Sequence, residues 1–174
     1  SDAPAKMVES LLKAVRPIAA KEADLAAVQP SRILVVDDNA SNRDLLSRRL
    51  QRQGHTVLQA EDGTTALAVV EREALDLVLL DLMMPGISGY DVLASLKSNP
   101  RFCEIPVIMI SALSELDSIV RCIEAGADDY LAKPFDPVLL RARVGSSLDK
   151  KHLRDREREM IEALRIEKER SEQL

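Results

Sequence analysis

Aromatic residues are nearly absent. The chain has two Phe, two Tyr and no Trp, 2% of its 174 residues. Any core must therefore be built from Leu, Val, Ile, Ala and Met. Cysteine is equally scarce. Cys103 and Cys122 offer neither a disulfide framework nor a metal-ligand spacing, which leaves free thiols of a reducing cytoplasm as the expectation. No apolar run approaches the roughly 20 residues of a membrane span, and no signal peptide is visible. No membrane partner and a cytoplasmic location are therefore expected. A net charge of −5 speaks against a general nucleic-acid surface. The first residue is Ser1 rather than Met, as in a segment cut from a longer protein. What is plentiful is aliphatic content: 46% hydrophobic residues support a core, in a length that suits one domain with extensions.

Leu77-Val78-Leu79-Leu80-Asp81 organises the chain. Four consecutive apolar residues read as a strand buried on both faces, with a carboxylate at its C-terminal end. Ligands of open parallel sheets bind outside the carboxyl ends of strands. Ile33 to Asp38 repeats the pattern, an apolar run closing on two acids. Asn39 or Ser41 can cap the helix that follows, which Leu45, Leu46, Leu50 and Gly54 shape and end. Thr56-Val57-Leu58 is a short strand, and Gly63 opens a second helix. A third helix is expected from about Tyr90 to Leu96. Pro106 to Ile110 is a strand ending at Ser111, and a helix through Ile119, Val120 and Ile123 closes on Gly126. Tyr130 to Lys133 is a fifth strand, with Pro134 and a last helix after it. This β-α rhythm, five times over, predicts an α/β parallel sheet with helices on both faces and right-handed crossovers. Asp37, Asp38, Asp81, Ser111 and Lys133 then share one sheet edge. Each has a bland reading alone: a helix cap, a strand-end turn residue, a solvated lysine.

Together, with Leu79 to Gly86, Ile110-Ser111-Ala112 and Gly126 to Phe135, they resemble the response regulator receiver domain over roughly 31–148. The resemblance implies a flavodoxin-like, doubly wound (β/α)5 fold with strand order 2-1-3-4-5. It also implies an aspartate, here Asp81, that accepts a phosphoryl group from a histidine kinase or phosphotransfer protein. Elementary electrostatics agrees. Carboxylates crowded in one crevice repel by about 4 kcal/mol per pair at 4 Å and an effective dielectric near 20. A divalent cation relieves this, and an all-oxygen donor set suits Mg2+. Asp38, Asp81 and the backbone carbonyl of Met83 are the expected ligands, with Asp37 acting through water. Lys133 and Ser111 would meet the remaining phosphoryl oxygens. In the family the Lys–Pro bond, here before Pro134, is cis, and a hydroxyl and a strand-5 aromatic move together on activation. Ser111 and Tyr130 match those positions, with Ser replacing the commoner Thr. The dimer surface of the family would carry Asp128, Asp129, Arg141 and Arg143, although Asp128 and Asp129 equally suit caps of the turn into the strand.

Two extensions flank this domain. Residues 1–30 read as a helical arm, with Met7, Leu11, Leu12, Val15 and Ile18 at helical spacing and a break at Pro17. It serves either as a surface helix on its own domain or as a dimerising or partner-binding helix. Residues 149–174 are mostly charged and lack Pro and Gly, which predicts one exposed helix. Leu153, Met160, Leu164 and Leu174 fall on one heptad seam, interrupted by Glu157, Glu167 and Ser171, as in a marginal parallel coiled coil of a homodimer. Leu140, Val144 and Leu148 form an earlier stripe in another register, as at a stutter. Residues 167–174 resemble the linker before class III adenylate or guanylate cyclase domains, so a cyclase output beyond Leu174 is expected. A diguanylate cyclase, serine phosphatase or histidine kinase output suits the same rod. His152 lacks the surroundings of a phosphorylatable histidine. Two other readings of the whole stay open: an aspartyl-phosphate hydrolase, opposed by the lack of a cap segment, and a degenerate scaffold, opposed by the complete site.

Overall fold

The structure is a computed structural model and describes residues 30–112 and 116–173. The arm expected up to residue 30 falls outside the described residues except for Pro30, as does Leu174 of the expected heptad seam. Among the described residues five strands alternate with five helices: β1 (Arg32–Val36), α1 (Ala40–Arg52), β2 (Thr56–Ala60), α2 (Gly63–Arg72), β3 (Leu77–Asp81), α3 (Gly89–Ser98), β4 (Val107–Ala112), α4 (Leu116–Glu124), β5 (Asp129–Lys133) and α5 (Pro137–Glu172). All pairings are parallel, in the order β2-β1-β3-β4-β5. The expected flavodoxin-like doubly wound sheet is therefore present.

Side chains of a strand alternate between faces, and the core divides accordingly. Leu34, Val36, Val78, Leu80, Val107 and Met109 face Ala66 and Val69 of α2, Val92, Leu93 and Leu96 of α3, and Cys122 of α4. Ile33, Val35, Leu77, Leu79, Ile108 and Ile110 face Leu46 and Leu50 of α1 and Leu140, Val144 and Leu148 of α5. Every residue of β3 is buried, as its continuous apolar run requires when helices cover both faces. Truncating one of these leucines to Ala would cost about 2–5 kcal/mol.

Local chemistry sets the helix ends. Asn39, not Ser41, caps α1 by accepting from Asn42 N. Leu45 points outward on α1 while Leu46 is buried, because successive helical residues lie about 100° apart. Ser88 caps α3 in a reciprocal capping box with Asp91, so α3 begins at Gly89, one residue earlier than the apolar pattern suggests. Gly89 is there for room. A Cβ at that position would lie 2.2 Å from the Asp81 carbonyl oxygen. The start of α3 thus packs directly on the end of β3.

α5 crosses the expected 148/149 boundary without a break. Its last fully buried side chain is Leu148, and the helix then runs on into solvent. It still touches the domain beyond that point. Lys151 pairs with Asp76, His152 meets Ser31, and Arg158 pairs with Glu104.

Candidate functional site

β1 and β3 run side by side with Val36 opposite Leu80, so the next residues, Asp37 and Asp81, stand at the same level on the carboxyl edge of the sheet. Asp38 follows on the rim. One carboxylate oxygen from each of Asp37, Asp38 and Asp81 lies within 4.8 Å of the others. Asp37 and Asp81 are 1% and 4% exposed, while Asp38 faces solvent. Asn39 N donates to Asp37 Oδ1 at 2.9 Å, which orients that carboxylate. Its Oδ2 is buried with no hydrogen-bond partner among the described residues and has the Lys133 ammonium at 3.6 Å.

β4 and β5 supply the other groups. Ile110 is the register partner of Asp81, and Ser111 stands one residue further on. The Ser111 hydroxyl is buried and lacks a hydrogen-bond partner among the described residues. Lys133 ends β5, and its Nζ lies 3.2 Å from Asp81 Oδ1. The Lys133–Pro134 peptide is cis, as the resemblance implied. Met83 sits in the loop after β3 with its side chain largely exposed.

Burial pushes the Asp81 carboxyl up to about 6. The Lys133 ammonium opposes that displacement, and Asp37 and Asp38 add to it. Three carboxylates against one ammonium leave net negative charge in a partly dry crevice, and an orphaned buried oxygen on Asp37 adds an unmet demand. The residues fit Mg2+: three carboxylates form a hard all-oxygen donor set, with the Met83 carbonyl in the adjoining loop. The orphaned Ser111 hydroxyl and the Lys133 ammonium fit the oxygens of a group placed on Asp81.

Tyr130 is half-buried against the α2–α3–α4 face, with the Arg143 guanidinium 6.0 Å from its ring centroid. The four charges expected on a dimer surface are partly engaged within the chain. Asp128 accepts from Val107 N at 2.8 Å and from Lys97 Nζ at 3.1 Å, the cap role. Asp129 pairs with Arg143. Arg141 is half-buried on α5. Leu153, Met160 and Leu164 are 64%, 67% and 62% exposed. The contact of Gly89 with the Asp81 carbonyl escaped sequence reasoning. Its signal is a Gly directly after the capping Ser88.

A sequence model of the response regulator receiver domain matches residues 33–145. The response regulator PleD of Caulobacter vibrioides is 46% identical over 116 residues, 67% of this chain and 26% of that protein. The DNA-binding dual master transcriptional regulator RpaA of Synechocystis is 40% identical over 117 residues, 67% of this chain and 48% of that protein. The crystal structure of the receiver domain of NtrX from Brucella abortus superposes with a TM-score of 0.64 at 35% identity, covering 67% of this chain and 98% of that one. The chain spans about half or less of the length of these two curated relatives. Their descriptions name response and transcriptional regulation, so the cyclase output expected from residues 167–174 gains no support from them.

Proposed function

This chain belongs to the response regulator receiver family of two-component systems, and from that premise we propose that Asp81 is its phosphoacceptor. A histidine kinase or phosphotransfer protein is the proposed donor. The observation that carries the reading is the pair of buried oxygens with no hydrogen-bond partner among the described residues, Ser111 Oγ and Asp37 Oδ2, within the group of strand ends that surrounds Asp81. Such atoms are costly unless a ligand engages them.

In the proposed step an Asp81 carboxylate oxygen attacks the phosphorus of a phosphohistidine. The P–O bond forms as the P–N bond breaks, and the imidazole leaves with the nitrogen's electron pair and takes up a proton. Positioning and charge neutralisation do most of this work. Mg2+, held by Asp38, Asp81 and the Met83 carbonyl with Asp37 through water, would supply positive charge against the transferring oxygens. The Lys133 ammonium pairs with Asp81 before transfer and is placed to pair with a phosphoryl oxygen afterwards. The Ser111 hydroxyl donates to another, and that new bond draws the β4 end inward. Tyr130, half-buried on the neighbouring strand, follows into the space vacated.

The signal leaves through α5. The exposed Leu153, Met160 and Leu164 support a parallel pairing of two rods in a homodimer, with Arg141, Arg143 and Asp129 at its domain end. An output domain beyond Leu174 completes the reading, and a nucleotide cyclase rests only on the resemblance of residues 167–174. The phosphoacceptor assignment is tested with acetyl phosphate and Mg2+. Wild type becomes stoichiometrically labelled with an acid-stable, hydroxylamine-sensitive phosphoryl group, and Asp81→Asn does not. Full labelling of that variant would end the assignment.

A further inference from the structure

A second cluster of charged and coordinating groups lies at the opposite end of the sheet. Asp76 precedes β3, whereas Asp81 closes it, so about 16 Å of strand separates the two positions at 3.3 Å per residue. His152 and Asp155 stand three residues apart on α5 and so share one helix face. One ligand atom from each of Asp76, His152 and Asp155 lies within 4.8 Å of the others. We propose that these three residues bind a divalent transition-metal cation of zinc character, which fastens the extended helix to the floor of the sheet.

Four observations support this. The donor set is mixed, one imidazole nitrogen and two carboxylates, a combination that suits Zn2+ better than the harder Mg2+ or Ca2+. A cation already occupies the position in part. Lys151 Nζ lies 3.3 Å from Asp76 Oδ1 and 2.6 Å from Asp155 Oδ2. That ammonium leaves the two carboxylates one positive charge short of balance, whereas a divalent ion balances both. Asp76 and His152 are also held in place from outside. Arg32 N donates to Asp76 Oδ2 at 2.8 Å, leaving Oδ1 for the cation, and the Ser31 hydroxyl lies 3.1 Å from His152 Nε2. Such supports fix ligand orientation.

The fourth observation is that both histidines of the chain meet here. His55 is 8% exposed, and its Nδ1 accepts from Ser31 N at 3.2 Å, which places the proton of the neutral ring on Nε2. Burial lowers its proton affinity against the pull of Asp76. Because its Nδ1 accepts that hydrogen bond, the His55 ring is neutral in this arrangement and adds no positive charge to compete with a metal. The local competitor is Lys151, whose stem must swing aside when the ion enters.

The test uses the tag-free full chain in saturating Mg2+, titrated with ZnCl2, with calorimetry and the imidazole resonances of His55 and His152 as readouts. His152→Gln assigns the two rings. One equivalent of Zn2+ is expected to bind and to shift the His152 ring signals. His152→Ala and Asp155→Asn should each weaken binding by about 100-fold, and Lys151→Met should tighten it. Phosphorylation of Asp81 should be unchanged in all three variants. Zn2+ binding that leaves the His152 ring unmoved, that is indifferent to His152→Ala and Asp155→Asn, or that weakens in Lys151→Met would overturn the proposal. The Asp155 side chain is 42% exposed, so its variant keeps the test clear of folding.

Discussion

Asp81→Asn should stabilise the metal-free protein at neutral pH, and by an amount set by the crowding of its site. The Asp81 carboxyl is displaced from the ordinary 3.8 to about 6, chiefly by burial. At 1.36 kcal/mol per pH unit this sets a ceiling of about 3 kcal/mol. Water reaching the crevice past exposed Asp38 screens part of it, so about 2 kcal/mol is expected. The folded chain keeps its proton up to pH 6, while the unfolded chain loses it near pH 4. The unfolded state therefore binds fewer protons between those values, and stability is lost as pH rises through the window. Asn carries no such penalty. In urea titrations with EDTA, followed by circular dichroism, variant and wild type should be equally stable near pH 4. The variant should pull ahead between pH 4 and 6, and the gap should level off above pH 7. Adding Mg2+ to about 100 times its dissociation constant returns about 2.7 kcal/mol to wild type. A variant no more stable than wild type at pH 8 in EDTA, or a gap that does not change with pH, would refute the reasoning.

Lys133 opposes the displacement of Asp81, so Lys133→Met should raise the Asp81 titration midpoint further, read from its carboxyl 13C shift, and should slow labelling by acetyl phosphate. Gly89→Ala forces a methyl against the Asp81 carbonyl and should cost about 3 kcal/mol in urea; an unchanged midpoint would show that α3 can shift away freely. Leu153→Glu combined with Leu164→Glu should convert a dimer to a monomer in sedimentation, with stability of the domain changed by no more than about 0.5 kcal/mol. Substitution serves better than truncation near Gly145, because truncation would also remove Leu148 from the core.

The sheet and its acidic edge were legible because each signal is local. Leu77 to Asp81 and Ile33 to Asp38 each carry strand and carboxylate within six residues, and parallel β-α alternation then brings the ends together. The floor of the sheet was not legible. Ser31 and His152 lie 121 residues apart, and Asp76, Lys151 and Asp155 each read alone as solvated charges. Their meeting depends on how far α5 continues along the domain before leaving it, which no local pattern encodes. Asp128 was legible only as a choice between two roles, a dimer surface and a cap of the turn into β5, and Val107 N and Lys97 engage it as the cap.

The unbroken run of α5 from Pro137 to Glu172 makes it a lever as well as a connector. At 1.5 Å per residue, about 35 Å of helix lies past Leu148. A tilt of about 5° at its root would carry the tip about 3 Å sideways at that length. The contacts of Lys151, His152 and Arg158 with the sheet floor act as a fulcrum one to three turns along the shaft. Loosening them lengthens the free shaft, so the same tilt at its root would carry the tip further.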